Sequence, residues 1–511
     1  MKFTANLGHK RQLLWLAGAT VIALGLRLVQ LDDRPVHTDE AVNAVIVGDM
    51  LQGATYRYDP HDHHGPAYYY LTAPLCRLLG ARSLADLEAW ELRASAALVS
   101  GATILLLGLL LAEDRGAACG AAVFLTVGAP FVYYGRYAIH ESLLVFGTLL
   151  ALAGGWRFWR TGRIRWAALG GLGLGLAACT KESTPVTATA VVLALALGAS
   201  HPTTRRQWRD GREPGLTGIR TLAGVLLAAG VAVALALALY SSLGRNPTGL
   251  ASAIRAYGYL WVRAVSGAGH QKPWWTYLAW LAEPNPLCPP WFGWALLSGA
   301  IGGAAHAFLG RSTVPLIRFL AIFSAILIII YSATPYKTPW LMLDFLAPAA
   351  AVAGYGLSAG LKALAASPLR AASVAAALLM AALFARESVR LCFRYADDPF
   401  NPLAYSPTSP DLARLAARLD RQAAHSPQGR NLLIQVVATD YWPLPWYLRR
   451  FPRVGYWSQL PDHLDGEVLL ASPDEAGAVE ARLGPGWHRE FYGLRADVLI
   501  FLYTRDPADH A

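Results

Sequence analysis

Apolar and polar stretches alternate along this chain with a long period. Stretches apolar enough to cross a bilayer core, about 17–25 residues each, are expected near 12–31, 92–112, 116–134, 141–157, 166–180, 184–199, 220–241, 290–309, 314–332, 340–360 and 368–385. The pattern predicts eleven membrane-spanning helices. The fifth is rich in glycine (Gly170, Gly171, Gly173, Gly175), which lets helices approach closely in lipid; it either stands alone or joins the sixth as one broken hairpin.

Three polar stretches are too long for turns: 32–91, 242–289 and everything after about 386. In the first, Ala41, Val42, Val45, Ile46 and Met50 recur at helical spacing behind a Thr38 or Asp39 cap, which predicts a helix near 38–53, and a second helix is expected near 65–80. The second stretch is dense in Tyr257, Tyr259, Trp261, Trp274, Trp275, Tyr277 and Trp280, which suits an aromatic belt at the bilayer interface as well as contact with a lipid or sugar. The third opens with Pro399, Pro402, Pro407 and Pro410, then a helix with Leu412, Leu415 and Leu419 on one face and Ser409 as its cap. Apolar runs at 432–438, 467–471 and 498–503 read as strands, with a helix over about 474–483. The expected fold class is mainly α: a polytopic membrane domain over 1–390, whose external loop 32–91 carries the candidate active site, followed by a small extracytoplasmic α/β domain over 391–511. No glycine-rich turn follows a strand, so a nucleotide fingerprint is missing from the tail.

Composition sharpens this in one respect. Charged residues are 15% of the chain against about 25% in an ordinary globular protein, and the mean hydropathy is +0.34; disorder, collagen, coiled coil and a disulfide scaffold are excluded. A net charge of +10 would suit nucleic acid, but the positive charge has an address. Lys2, Lys10 and Arg11 precede the first span, and Arg157, Arg160, Arg163 and Arg165, then Arg205, Arg206, Arg209, Arg212 and Arg220, crowd two short connections on the same side. By the positive-inside rule that side is expected to be cytoplasmic and the C-terminus outside, and the expected location is the cytoplasmic (inner) membrane. Topology accounts for the surplus, and no nucleic-acid partner is expected. The first span runs past signal-peptide length with no small-x-small site after it, so it is expected to be a retained anchor. Cys76, Cys119, Cys179, Cys288 and Cys392 form no C-x-x-C pair and read as packing residues.

The orientation gathers five polar clusters on the outer side. Asp39 and Glu40 follow His37 just beyond the first span; alone, such acids complement a helix N-terminus. Asp59-Pro60-His61-Asp62-His63-His64-Gly65-Pro66, then Tyr68, offers proton carriers, hydrogen-bond partners for sugar hydroxyls, or simply a polar turn. Arg136-Tyr137-Ala138-Ile139-His140-Glu141 opens a span with an ionisable group, expensive unless it faces a partner or water. Lys181-Glu182-Ser183 and Pro335-Tyr336-Lys337-Thr338-Pro339-Trp340 complete the set. One shared active site at the outer face is the simplest account. A divalent cation at Asp39, Glu40 and His64 is left open.

In this order, these motifs resemble the GT-C membrane glycosyltransferases, and among them the protein O-mannosyltransferase and aminoarabinose-transferase-like group. The stretch Asp440-Tyr441-Trp442-Pro443-Leu444-Pro445-Trp446-Tyr447-Leu448-Arg449 is similar to one in the bacterial and archaeal membrane proteins labelled "flippase activity-associated". The resemblance implies transfer of a sugar, with inversion, from a polyprenyl-phosphate-linked donor to a glycan, lipid or protein acceptor at the external face. It implies catalytic roles for Asp39, Glu40 and Glu141. Arg136, Lys181 and Lys337 would hold the donor phosphate, and His61, His63, His64, Tyr68 and Tyr336 would contact substrate. A lipid-linked glycan transporter or a non-catalytic flippase-associated component is the alternative, although paired broken helices in two halves are not visible in the sequence.

Overall fold

The computed structural model describes residues 2–267, 269–310, 314–365 and 368–505; the last six residues of the expected tail domain lie outside these. Every one of the eleven apolar stretches is helical. Eight described helices are long and apolar enough to cross a membrane, from Lys10–Leu28 to Arg370–Arg394, which makes this a multi-pass membrane protein. The remaining three show how the sequence bends a span. Arg115–Val127 stops at Gly128 and resumes as Ala129–Tyr134, because Pro130 in the next turn has no N–H to continue the ladder. Ile164–Ala178 is only 15 residues long. Thr184–Ser200 turns through 105° into Pro202–Gly211, again at a proline. In that short helix Trp208 packs beside Gly198 and donates to the Pro315 carbonyl at 3.3 Å, while Arg206 and Arg209 face outward.

The glycines of the fifth span do what a small-residue stripe does in lipid, and the helix stands apart from the sixth. Gly170 and Gly173 meet the backbone of Glu141–Thr161, and Gly171 and Gly175 meet that of Gly218–Tyr240, so one thin helix is clasped from two sides. Buried arginines serve the bundle as caps. Arg27 donates to the Leu125 and Thr126 carbonyls near the end of a neighbouring helix, at 2.7 and 3.2 Å, satisfying groups that water would otherwise serve.

At one end of the bundle sit the first-loop helices Thr38–Leu51 and Ala67–Leu79, close to the expected bounds. The cap of the former is His37, not Thr38 or Asp39: its Nδ1 accepts the Asp39 N–H at 3.1 Å while the Glu40 carboxylate accepts the His37 N–H at 3.1 Å. A helix that the sequence reading did not name, Gly249–Ser266, carries much of the aromatic stretch.

The tail forms a five-stranded mixed sheet of β1 (Ile434–Val437), β2 (Val454–Trp457), β3 (Val468–Ala471), β4 (Trp487–Arg495) and β5 (Val498–Arg505), in the order β2-β1-β3-β5-β4. The first three are mutually parallel, and β5 runs antiparallel to both its neighbours. Leu412, Leu415 and Leu419 of Asp411–His425 pack into its core as their spacing demands. The tail is fastened to the first loop by the Tyr-Trp-Pro-Leu-Pro-Trp-Tyr stretch: Trp446 is buried among first-loop residues, the Tyr447 hydroxyl accepts the Val36 N–H at 3.0 Å, and Arg449 and Arg450 both pair with Glu88.

Candidate active site

A cavity of about 350 Å³ opens among these pieces. Its wall includes Asp39 and Asn43 of the first loop, Asp62, His63 and His64 of the histidine turn, His140 and Glu141, and Tyr336 and Trp340. Four of the five polar clusters therefore reach one space, and the fifth supports it from behind. Glu182 accepts His64 Nδ1–H at 2.8 Å and the Tyr58 hydroxyl at 2.5 Å, while Lys181 forms an ion pair with Glu141. Glu141 stands at the cavity end of its helix and Arg157 and Arg160 at the other, so the arginine-rich turns lie at the opposite end of the bundle.

The Asp39 carboxylate makes no hydrogen bond or ion pair among the described residues and faces the cavity. Its neighbour does the reverse. Glu40 is 1% exposed and both its oxygens are engaged: Arg93 grips them at 2.7 Å each, and Oε1 also takes the Ala138 N–H at 2.9 Å and Arg34 at 3.4 Å. Burial alone would raise its pKa, but the two guanidinium groups outweigh that and hold it down at about 2. Glu40 thus ties the first loop to Ala89–Leu110 and to the 136–140 turn, and that tie is what leaves Asp39 aimed at the cavity. Glu182 is likewise held at about 2, burial being overcome by His64 and Tyr58.

His140 is 2% exposed, packed against the rings of Tyr68, Tyr69 and His64, and its Nε2 has no hydrogen-bond partner among the described residues. Burial pushes its pKa well below the usual histidine value, so it is a neutral wall of the cavity. His37 is also driven down by burial; Nδ1 accepts from Asp39, so Nε2 carries the proton and donates to the Tyr405 carbonyl at 3.0 Å.

Several expected site residues are elsewhere. Arg136 wraps the end of the first span, donating to the Leu26, Val29 and Gln30 carbonyls at 3.1, 2.5 and 2.8 Å, and so satisfies carbonyls that the helix end leaves without an intrahelical partner. Lys337 donates to the Thr334 carbonyl and lies 5.9 Å from the Tyr277 ring. Tyr68 is buried towards Leu92, and the His61 ring lies tilted against that of Tyr259, centroids 3.9 Å apart. Metal binding at Asp39, Glu40 and His64 does not fit this geometry: Glu40 has no oxygen to spare, and among the described residues no group of three or more His, Cys, Asp or Glu side chains is placed to hold an ion.

The cavity also has polar groups that the sequence did not point to, two of them arginines. Arg263 and His270 enter from the aromatic stretch, and Tyr405, Ser406 and Arg495 from the tail. Arg263 donates to the His61 carbonyl at 2.8 Å, and His270 Nδ1 lies 2.5 Å from the Tyr405 hydroxyl.

Two comparisons with known proteins bear on this arrangement. ArnT from Cupriavidus metallidurans superposes with a TM-score of 0.64 at 15% identity, over 96% of this chain and 97% of that one, and its undecaprenyl phosphate-bound structure with a TM-score of 0.63 over the same shares. The chain has a GT-C glycosyltransferase fold. Residues 79–241 match the family model described as dolichyl-phosphate-mannose-protein mannosyltransferase, from the end of the first loop through the seventh span. No curated protein matches the sequence. In this chain the cavity lies where the first loop, Glu141, the Tyr336–Trp340 turn and the tail converge.

The histidine turn is set by one backbone approach. Gly65 and Ala67 donate to the Thr180 and Cys179 carbonyls at 3.2 and 2.8 Å, and a β-carbon at Gly65 would overlap the Cys179 carbonyl and crowd the Tyr240 hydroxyl. Gly65→Ala should therefore lower the thermal midpoint of the purified protein, at a cost of about 1–3 kcal/mol from forced repacking, and loosen His63 and His64. An unchanged midpoint would show that the turn gives way freely.

Proposed function

We propose that the protein transfers a sugar from a polyprenyl-phosphate-linked donor to an acceptor at the outer face of the cytoplasmic membrane, with Asp39 as the base. The observation that carries this reading is the unpaired Asp39 carboxylate in a polar cavity at the end of the bundle away from the arginine-rich turns. A fold shared with a protein solved with undecaprenyl phosphate bound supports the donor class.

An acceptor hydroxyl is too weak an acid to react at neutral pH, so its proton passes to an Asp39 oxygen as the acceptor oxygen closes on the anomeric carbon. The bond from that carbon to the phosphate oxygen breaks, and polyprenyl phosphate leaves with the electron pair; a single displacement inverts the centre. Arg263 and His270, which line the cavity, are placed to stabilise the departing charge. Lys181 is occupied by Glu141, so it would reach a phosphate only by exchanging partners. Glu40 positions Asp39 through the cap and stays out of the chemistry.

The test is transfer by the protein in lipid nanodiscs, given radiolabelled polyprenyl-phosphate sugars and fractionated envelope acceptors. Label should move into one acceptor fraction with release of polyprenyl phosphate. Retention of all label on the donor, with movement of that donor between leaflets of reconstituted vesicles, would replace transfer by transport.

A further inference from the structure

The tail of the chain contributes a cation to the cavity at a point where no lipid-facing helix does. The hairpin β4–β5 breaks register between Gly493 and Arg495, and such a bulge turns a strand and re-aims a side chain. Here a bridge from Arg495 to Thr408 holds the bulge against the linker, and the Arg495 side chain reaches the cavity wall beside Thr38. The fork is barely used. Nη2 pairs with Asp440, Nη1 lies 3.5 Å from the Thr38 hydroxyl, and Nε is buried with no partner among the described residues. The side chain is 14% exposed, whereas Asp440 is 55% exposed, so the counter-ion sits largely in water where it contributes little.

We propose that Arg495 is a specificity residue, and that it binds an anionic group, phosphate or carboxylate, on the acceptor. Its place in the chemistry rests on the function proposed above. Arg495 and Arg263 do not share partners: Arg263 holds the His61 carbonyl, Arg495 holds Thr38 and Asp440. A single leaving phosphate is served by Arg263 and His270, and the second cation stands next to the residue that precedes the base, where the attacking molecule must lie. A guanidinium with free N–H groups in a partly dry wall favours a planar oxyanion held by two bonds. Removing Arg495 leaves the tail docked, because Tyr447, Arg449, Arg450 and Trp446 hold it independently.

The experiment uses the full chain in nanodiscs, saturated with undecaprenyl phosphate, with inorganic phosphate as the anion probe and the thermal midpoint as readout. Phosphate should raise the wild-type midpoint further. Arg495→Ala should lose that second rise and keep the response to undecaprenyl phosphate, Arg495→Lys should restore it in part, and Asp440→Ala, which breaks the same ion pair but keeps the cation, should keep both. In the transfer assay Arg495→Ala should raise the acceptor KM about tenfold or more, the worth of one charge-assisted pair, with kcat within about threefold. Three results overturn the proposal: no phosphate response in the wild type, loss of the undecaprenyl phosphate response in Arg495→Ala, which would assign the cation to the donor, or equal loss in Asp440→Ala, which would make the pair structural only. The phosphate measurement needs no turnover, so a failure of the transfer reading is seen separately.

Discussion

Asp39→Asn should abolish sugar transfer, by about 10²–10⁴-fold in kcat if the carboxylate is the base, while leaving the thermal midpoint and the membrane-inserted yield unchanged. Both halves of this expectation come from the same observation. The side chain accepts no hydrogen bond and forms no ion pair among the described residues, so an amide of the same shape removes basicity and nothing that holds the fold. Initial rates from a radiolabelled donor, with midpoints measured on the same preparations, check it. Activity within tenfold of wild type would take the base role away from Asp39.

Glu40→Ala should do the opposite: cripple the fold first and activity only as a consequence. It leaves Arg93, 1% exposed, with an uncompensated charge, a change that costs about 3–5 kcal/mol. The thermal midpoint should fall sharply, and Arg93→Met in the same chain should recover part of it by removing the orphaned charge. The pair also sets an acid limit. Because Glu40 titrates at about 2 in the folded protein against an ordinary 4.5, its contribution is complete above about pH 4.5 and drains away as pH falls towards 2. Between those values wild-type stability should fall more steeply than that of the double variant. A midpoint for Glu40→Ala equal to that of Asp39→Asn would refute the division of labour between the two acids.

How much of this was legible follows from where each residue's partners lie in the chain. The eleven apolar runs needed no partner to be recognised, and the helix Thr38–Leu51 announced itself by its spacing, although its cap is His37 and not the expected Thr38 or Asp39. β2 and β4 did not: β2 is half-buried throughout and β4 carries exposed His488, Arg489 and Phe491, so neither shows an alternation to read. Gly249–Ser266 hid behind its aromatics. In the site, segments rich in acids and histidines were visible, but the direction of each side chain was not. Arg136, Lys337 and Glu40 looked like chemistry because they are charged groups close to the ends of apolar spans; the structure shows Arg136 and Lys337 absorbed by carbonyls and Glu40 by Arg93. Arg263 and Arg495 carry no signal in the sequence, since what makes them notable is a cavity built from distant segments.

The bulge at Arg495 also bears on how the molecule comes into being. Asp39 leaves the ribosome shortly after the first span, whereas Tyr405, Ser406 and Arg495 are synthesised only after every apolar helix has been made. During synthesis the bundle therefore holds Asp39 exposed on an unfinished wall, and the wall is closed by a domain that is made last. A chain cut short before β4 would carry all the apolar helices and still lack Arg495 in the cavity wall, so completion of the tail sets the moment at which the cavity is first whole.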